Sequence, residues 1–347
     1  MKKIWGMLLL LTCMLTGAAK ADTTLTFTFV GDCTIGSEDR LIHNEKGFYQ
    51  VAQAQGYSYF FSKVADFFSE DDLTIANFEG VLQNSPFGFA NKTYCFRGKP
   101  EFAEIMKQGN VELVNLSNNH TNDYALKGRK NTVAALEAAG VASFDNVKPY
   151  IYEKDGIRVA FFGVMRPQYQ SGKAVLRKQI AELKADGVNA VVFTPHIGQE
   201  YDNLHNDWQT DIAHQLIDMG ADLYIGHHPH VVQGMEVYQN RYILYSLGNF
   251  VFGGNTAIRG NALRCLIARV EMTFADDGTY LGQKLRLYAA HTSGDAKENN
   301  FQPYLVTGEE AQAVYELMDA DSASTNKPVH EAQGYRDYAY LEAADGK

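Results

Sequence analysis

The sequence predicts an α/β fold with a largely parallel main sheet, and three observations carry this prediction. Short apolar runs rich in β-branched and aromatic residues recur along the chain, as buried strands require. Amphipathic stretches lie between them and end at glycines, the residue that helix C-caps favour. The chain has 347 residues, of which 46% are hydrophobic, so it can bury one large core.

Apolar runs bounded by turn residues are predicted to be buried strands. They span 25–30, 73–76, 111–116, 158–164, 190–193, 223–225 and 242–245. Two longer runs, 264–274 and 283–290, follow them and are joined through Asp277 and Gly278. This arrangement predicts a strand pair with a turn.

Amphipathic stretches that stop at glycine are predicted to be helices. They span 101–108, 131–139, 175–186 and 208–219. A last helix is predicted from Thr307 to Met318, with Glu310 completing a capping box. The residues after it are polar, and we predict an irregular tail. The main domain is therefore expected at 22–305, and the C-terminal helix and polar tail at 306–347.

The first residues have the pattern of a secretory signal peptide, which we predict at 1–21. Two lysines precede an apolar segment at 4–17, and a small-x-small site follows, so cleavage is expected after Ala21. Lipidation at Cys13 is a weaker alternative, because Thr12 stands where a small residue is usual. The remaining chain has no apolar run of about 20 residues, so we expect a soluble periplasmic or extracellular protein without a transmembrane segment.

The charge balance excludes one broad class of partner. The formal net charge is −10, which makes the chain a poor binder of nucleic acid or anionic membranes. After removal of the signal peptide three cysteines remain, Cys33, Cys95 and Cys265. Their odd number and wide spacing argue against a disulfide framework.

The segment Gly226-His227-His228-Pro229-His230 directly follows a predicted strand. A single histidine there would most simply hydrogen-bond a turn. Three imidazoles in four positions favour a metal site instead, because imidazole is the commonest protein ligand for transition metals.

Other polar side chains also follow predicted strands, at the sheet edge where ligands of α/β folds bind. They are Asp32, Glu79, Asn118, Asn119, His120, His196 and Asn249. Each alone could cap a turn, face solvent or be a satisfied core residue. Together they predict a centre of oxygen and nitrogen donors, which suits Mn²⁺, Fe or catalytic Zn²⁺ rather than a structural zinc site. Such a centre supports hydrolysis or group transfer.

At these residues the chain resembles the bacterial capsule-synthesis CapA family, which is associated with poly-γ-glutamate capsules and belongs to the calcineurin-like metallophosphoesterase superfamily. The resemblance covers about 26–252. Its motifs are Gly31-Asp32, Asn77-Phe78-Glu79, Asn118-Asn119-His120 with Asp123, His196-Ile197-Gly198-Gln199-Glu200-Tyr201, His228-Pro229-His230-Val231 and Ser246-Leu247-Gly248-Asn249-Phe250.

The resemblance implies a metallophosphoesterase-like four-layer α/β/β/α sandwich with one or two divalent ions at the sheet edges. The metal ligands would be Asp32 and His230 for one ion, Asn119, His196 and His228 for the other, and Glu79 between them. His120 would be the general acid that protonates a leaving oxygen. His227, by its register in the motif, is expected to be dispensable.

The chain departs from the wider superfamily at two motifs. Thr34 stands where a first-motif histidine is usual, so one metal site loses an imidazole. The second motif is Asn77-Phe78-Glu79 rather than Gly-Asp-x-x-Asp. Both features suit the capsule family, and they leave open whether two ions bind.

Further residues are expected to contact substrate or support the ligands. Arg97 offers a planar fork for phosphate or carboxylate, and an ordinary ion pair is the equal alternative. Asp123 and Asn249 are assigned to the cavity or to ligand support. Glu200 is expected to orient His196 through its second ring nitrogen. Cys33 is expected to be a buried apolar residue rather than a nucleophile.

The resemblance therefore implies a capsule or poly-γ-glutamate biosynthesis protein of CapA type. It would be a metal-dependent hydrolase or transferase acting on an extracytoplasmic anionic polymer or phosphoester, with membrane capsule synthase components as partners. One alternative is a general periplasmic phosphoesterase or nucleotidase. Another is a non-catalytic subunit that binds metal or polymer in a capsule assembly complex.

Overall fold

The computed structural model of the protein describes residues 21–258, 260–295, 297–323 and 326–343. The predicted signal peptide, except for Ala21, and the alternative lipidation site Cys13 lie outside the described residues. Of the helices that are described, none is long and apolar enough to cross a membrane.

The strands and helices alternate through the first two thirds of the chain. The strands are β1 Thr23–Thr34, β2 Leu73–Phe78, β3 Val81–Leu82, β4 Arg97–Gly98, β5 Leu113–Asn115, β6 Ala142–Phe144, β7 Tyr150–Lys154, β8 Ile157–Met165, β9 Ala190–His196, β10 Leu223–Ile225, β11 Met235–Tyr238, β12 Arg241–Leu244, β13 Asn249–Phe252, β14 Arg264–Phe274, β15 Tyr280–His291, β16 Tyr304–Leu305, β17 His330–Ala332, β18 Tyr335–Asp337 and β19 Leu341–Glu342. The α-helices are α1 Phe48–Gln55, α2 Ala65–Phe68, α3 Ala103–Gln108, α4 Ala125–Ala139, α5 Arg166–Ala185, α6 Asp207–Asp218 and α7 Gly308–Ala320. Short 3-10 helices are Asp39–Leu41, Tyr57–Phe61, Pro100–Phe102 and Gly260–Leu263.

Two large sheets form the centre of the molecule. The first has the order β17-β18-β15-β14-β1-β2-β5-β6, and β13 also pairs with β1. The second has the order β11-β12-β10-β9-β8-β7. In the first sheet, β1 pairs in parallel with β2 and β13, β2 with β5, and β5 with β6. In the second sheet, the neighbouring strands β12, β10, β9 and β8 pair in parallel. Antiparallel strands complete both sheets, so the prediction of a largely parallel main sheet is wrong: both sheets are mixed.

The sheets pack face to face between two helical layers. Phe27 and Leu285 of the first sheet share a buried cluster with Phe161 and Val192 of the second. The other face of the first sheet is covered by α1, α3 and α4, and that of the second by α5 and α6. This arrangement confirms the α/β class and the four-layer α/β/β/α sandwich.

The C-terminal segment differs from the prediction of an irregular tail. Its strands β17, β18 and β19 extend the first sheet by pairing next to β15 or with one another. Arg336 is buried there and forms ion pairs with Asp319 and Glu331. A polar sequence therefore forms regular structure because its charges are paired against the sheet.

Capping also differs from the prediction. Thr307 does precede α7, but its side chain makes no capping hydrogen bond, so the predicted capping box with Glu310 is absent. A complete capping box occurs instead at α6, between Asn206 and Gln209. Two helices begin earlier than predicted, α4 at Ala125 and α5 at Arg166.

The strand register brings the polar strand ends together. Asp32 of β1 pairs with Asn77 of β2 on one side and with Asn249 of β13 on the other. On the second sheet, His196 at the end of β9 forms a bridge with His227 after β10. The predicted site residues from both sheets thus lie at one edge of the sandwich.

Candidate metal centre

Donor atoms of Asn119, His228 and Glu79 lie close to Nε2 of His196, where the two sheets meet. The Nε2 atom of His196 lies 2.8 Å from Oδ1 of Asn119, 3.0 Å from Nδ1 of His228 and 3.3 Å from Oε1 of Glu79. Donors that share one ion at about 2.1 Å lie about 3.0 to 3.4 Å apart in octahedral or tetrahedral geometry. Two of the three distances fall in this range, and the mixed oxygen and nitrogen donors fit a divalent ion.

The carboxylate of Glu79 supports this fit independently. It is fully buried, and neither of its oxygens accepts a hydrogen bond from any described residue. Burial acts to raise the pKa of Glu79, but the charge of His230 and the interactions with His196 together outweigh it and lower the pKa to about 2. A buried carboxylate without hydrogen bonds is costly unless a cation is held nearby. Glu79, His228 and His230 also form a group in which one ligand atom of each lies within 4.8 Å of the others.

A second group of donors lies beside the first, around Asp32. Its Oδ2 is 3.3 Å from Nδ1 of His230, which is also 2.9 Å from Oδ1 of Asn249. His227 is buried with its Nδ1 3.5 Å from Oδ1 of Asp32. The Thr34 hydroxyl is buried and has no hydrogen-bond partner in the described chain. Whether His227 is dispensable stays a prediction.

The two histidines that flank Pro229 have unusual backbones. His228 has φ 102° and His230 has φ 59°, values that non-glycine residues seldom adopt. The backbone N–H of His228 donates to Oδ2 of Asp32 over 3.2 Å, which helps to hold this conformation. Strain of this kind persists where the surrounding structure fixes it, often at ligand sites.

Burial and neighbouring charge move the pKa values of these histidines in opposite directions. Burial, followed by the charges of His196 and His230, lowers the pKa of His228 to about 3. For His230, burial acts to lower the pKa, but the carboxylates of Glu79 and Asp32 raise it to about 10. His228 is thus held as a neutral imidazole, the form that ligates metal.

Asn77 connects the two groups of donors. Its Nδ2 donates to Oδ1 of Asp32 over 2.7 Å and lies 3.1 Å from Nδ1 of His196. Its Oδ1 accepts from Nδ2 of Asn115 and of Asn118. Because Asn77 occupies the position beside Nδ1 of His196, the prediction that Glu200 orients this ring is wrong.

Glu200 is exposed and lines the open cleft in front of the centre. It lies beyond Gly198, where a φ of +148° redirects the chain after β9. The side chain that contacts the second ring nitrogen of His196 is an amide from the neighbouring sheet instead.

Gly163 of β8 lets this amide network pack. A Cβ there would lie 1.9 Å from Oδ1 of Asn115, so Gly163→Ala should displace Asn115 and loosen Asn77. We expect metal affinity to fall about 10- to 100-fold, as when partners of metal ligands are lost. Calorimetric titration of each variant with Mn²⁺ measures the metal affinity. Gly172→Ala is the matched control, because its Cβ would meet no atom within 4 Å, and equal affinities for both variants would refute the supporting role.

His120 stands at the opening of the centre. Its Nδ1 lies 2.7 Å from Oδ2 of Asp123, and its Nε2 is 3.9 Å from Oε1 of Glu79. The ring of Phe96 packs on it at 4.4 Å. Asp123 therefore supports His120, and the other ring nitrogen is directed at the donor cluster, the geometry that a general acid needs. The catalytic role of His120 stays a prediction.

Lys92 is a site residue that the sequence analysis missed. Its Nζ lies 2.5 Å from Oδ1 of Asp123 and 3.1 Å from Nδ1 of His120, and it donates to the backbone oxygen of Asn119. It comes from the irregular segment between β3 and β4, where no periodicity or motif marks it. Only the tertiary fold brings it to His120.

Arg97 does not face the centre. Its Nε lies 2.5 Å from Oδ1 of Asp39, and its Nη1 donates to the backbone oxygen of Asn84. The ion-pair alternative is therefore the correct one, and substrate contact by Arg97 is not supported. Cys33 is buried, which raises the pKa of its thiol to about 12, in agreement with an apolar role. Asn249 does line the cleft, which has a volume of about 730 Å³.

The comparison with known proteins agrees with this geometry. The family model described as "Bacterial capsule synthesis protein PGA_cap" matches residues 26–254. The chain is 33% identical to the capsule biosynthesis protein CapA of Bacillus anthracis, over 74% of this chain and 65% of that protein. It is 33% identical to the PGA biosynthesis protein CapA of Bacillus subtilis (strain 168), over 70% of this chain and 67% of that protein.

A more distant relative is a probable polyglutamine synthesis accessory protein of Mycobacterium tuberculosis. It is 24% identical, over 57% of this chain and 61% of that protein. The aligned region thus spans about two thirds of the length of these curated relatives. The match to the family model includes the donor residues of both sheets, from Asp32 to His230. The chain belongs to the bacterial capsule synthesis protein family PGA_cap.

Proposed function

We propose that the protein acts in capsule or poly-γ-glutamate biosynthesis as a metal-dependent hydrolase or transferase. Its substrate would be an extracytoplasmic anionic polymer or phosphoester. The observation that carries the proposal is the cluster of Glu79, Asn119, His196 and His228, whose donor atoms lie within 3.3 Å of Nε2 of His196. The chemistry available from a divalent ion in such a cluster is polarisation of a phosphoryl or carbonyl oxygen and a lowered pKa of water.

The residues around the cluster supply the remaining parts of the reaction. His120, supported by Asp123, would hold the proton that passes to the leaving oxygen. Phe96 covers one face of the imidazole and limits its contact with water. Asp32 and His230 would hold a second ion or, if one ion binds, complete the polar wall of the site.

Export and partners belong to the same proposal. The predicted signal peptide would place the protein in the periplasm or outside the cell, where a capsule polymer is exported, processed or attached. Membrane components of a capsule synthase are the expected partners. The relatives named for capsule biosynthesis support this context.

A reconstitution experiment tests the proposal. The purified protein is loaded with Mn²⁺, its metal content is measured, and it is offered phosphoesters, nucleotides and γ-linked glutamate oligomers. We expect metal-dependent cleavage or transfer, and a rate at least about 10³-fold lower for the double variant His228→Ala/His230→Ala, because two ligands are lost. The control is His43→Ala/His330→Ala, which changes two exposed histidines.

Three outcomes of that screen are informative. Turnover of γ-linked glutamate supports the capsule enzyme, whereas phosphate release from nucleotides alone supports the general nucleotidase. Substoichiometric metal, no turnover and normal capsule in a strain with the double variant would overturn the catalytic proposal and leave the binding subunit.

A further inference from the structure

The cleft in front of the metal centre has an aromatic wall. The ring of Phe96 lies 4.4 Å from that of His120 and 5.9 Å from that of Phe252. The ring of Phe252 lies 5.3 Å from that of His230, which lies 5.8 Å from that of Tyr201. The rings form a contiguous aromatic cluster from the proposed general acid to a proposed metal ligand; Phe96 and Phe252 are buried at its back, and Tyr201 is exposed at its front.

Tyr201 is held in this wall at a conformational cost. Its φ is 61°, in the left-handed region, and its N–H donates to the backbone oxygen of Pro229 over 2.8 Å. Its side chain is nevertheless 56% exposed, so packing in the core does not explain its position. A strained backbone that presents an exposed ring to a cleft is typical of a ligand clamp. Tyr94, which is 54% exposed, also lines the cleft.

The other lining groups are mainly uncharged. Apart from histidines, the described lining residues with a formal charge are Arg40 and Glu200. The guanidinium of Arg40 is already paired with Glu38, at 2.5 Å and 3.1 Å. Apart from the tyrosines, amides and a hydroxyl make up the remaining polar lining, namely Asn203, Asn249, Asn255, Thr256 and Asn261. Asn261 donates to Asn203, and Oδ1 of Asn249 lies 2.9 Å from Nδ1 of His230, so Asn255 and Thr256 are the lining groups most available to a ligand. Arg259 lies outside the described residues.

We infer, on the basis of the proposed function, that the cleft binds a sugar ring and that the substrate is a sugar phosphoester rather than a polyglutamate strand. Aromatic faces pack against the apolar face of a sugar, and amides both donate and accept hydrogen bonds at its hydroxyl edge. A polyanionic strand would instead need unpaired cations along the wall. The sugar could be a hexose or the ribose of a nucleotide, because the ring and the phosphoester are common to both.

The reaction follows from this placement. Water adds to phosphorus, the P–O bond to the sugar breaks, and the proton held by His120 passes to the sugar oxygen. The products, a free sugar hydroxyl and phosphate, contain the atoms of the sugar phosphate and one water.

Binding without turnover provides the first test. Metal-free protein is mixed with a panel of methyl hexopyranosides, and saturation-transfer NMR detects the bound sugar, with glycerol as the acyclic control. We expect transfer to at least one sugar and about 10-fold weaker binding in Tyr201→Gly. Glycine adopts φ 61° without strain, so the thermal midpoint of this variant should be unchanged or higher. Tyr201→Phe should bind like the wild type, as should the control Leu204→Ala, which changes an exposed residue outside the cleft wall.

Kinetics with Mn²⁺ provide the second test. Glucose 1-phosphate, UMP, glycerol 2-phosphate and penta-γ-glutamate are compared. We expect kcat/KM to be at least about 10-fold higher for one of the sugar phosphates than for glycerol 2-phosphate, and Tyr201→Gly to raise KM with kcat within about 2-fold. The preferred compound decides between hexose and nucleotide.

The outcomes separate this inference from the proposed function. Sugar binding without any metal-dependent turnover would overturn the proposed function and retain the sugar site. Metal-dependent turnover with no sugar binding, with equal rates on glycerol 2-phosphate, or with faster cleavage of penta-γ-glutamate would overturn the sugar site.

Discussion

Glu79→Gln is expected to abolish most of the stabilisation that Mn²⁺ or Zn²⁺ gives the protein. A ligand present at 100 times its Kd stabilises a folded protein by about 2.7 kcal/mol. If the neutral amide weakens binding about 100-fold, the same metal concentration gives only about 0.4 kcal/mol. The carboxylate matters because it is fully buried beside His196 and His230, where a bound cation would add a direct partner for its charge. Thermal unfolding of the wild type and of the variant, each with and without metal, measures the stabilisation that the metal gives.

The comparison must be made within each variant. Glu79 also lies 3.8 Å from Nδ1 of His230, so its substitution changes the metal-free protein as well. The difference between metal-loaded and metal-free midpoints removes that contribution. Glu309→Gln, at an exposed position of α7, is the matched control and should keep the full metal response. A full response in Glu79→Gln would show that Glu79 is no ligand.

His120→Ala is expected to lower kcat about 10²- to 10⁴-fold, the usual contribution of a positioned general acid, while metal affinity changes less than about 3-fold. The reason is geometric, since Nε2 of His120 faces the donor cluster and Nδ1 is held by Asp123. Asp123→Asn should lower kcat in the same direction but by less, because Phe96 still covers the imidazole. Steady-state kinetics on the substrate found by reconstitution, with metal content measured in parallel, check both variants.

Asp276→Asn is the control for the second substitution, because Asp276 is exposed in the turn between β14 and β15. Loss of metal together with loss of rate would identify His120 as a ligand. An unchanged rate in His120→Ala would remove it from the mechanism, and the proton would have to come from elsewhere.

The residues at strand ends could be predicted from the sequence. Asp32, Asn77 and Asn249 follow or begin apolar runs, and parallel pairing places such ends side by side. The position of each polar residue after its strand was thus enough to predict one shared site. The two-sheet division was implied only by the resemblance, because short buried runs do not reveal which sheet they join.

Residues that reach the site through loops could not be predicted in the same way. Lys92 lies in a segment without periodicity, and its contact with Asp123 depends on how that segment folds back. Glu200 and Tyr201 follow Gly198, whose φ of +148° sets their direction. The sequence suggested that Arg97 binds an anionic substrate, but in the folded chain its guanidinium pairs with Asp39, and sequence spacing does not reveal this contact. Side-chain direction in loops is set by tertiary contacts that sequence spacing does not encode.

The donor residues come from both sheets of the sandwich. Asp32 lies in β1 and Glu79 and Asn119 follow strands of the first sheet, whereas His196, His228 and His230 end or follow strands of the second. The distance between ligands from different sheets thus depends on how the two layers pack, and occupancy of the centre is thermodynamically linked to that packing. A substitution at Phe161, in the core between the sheets, would then change metal affinity without touching any ligand.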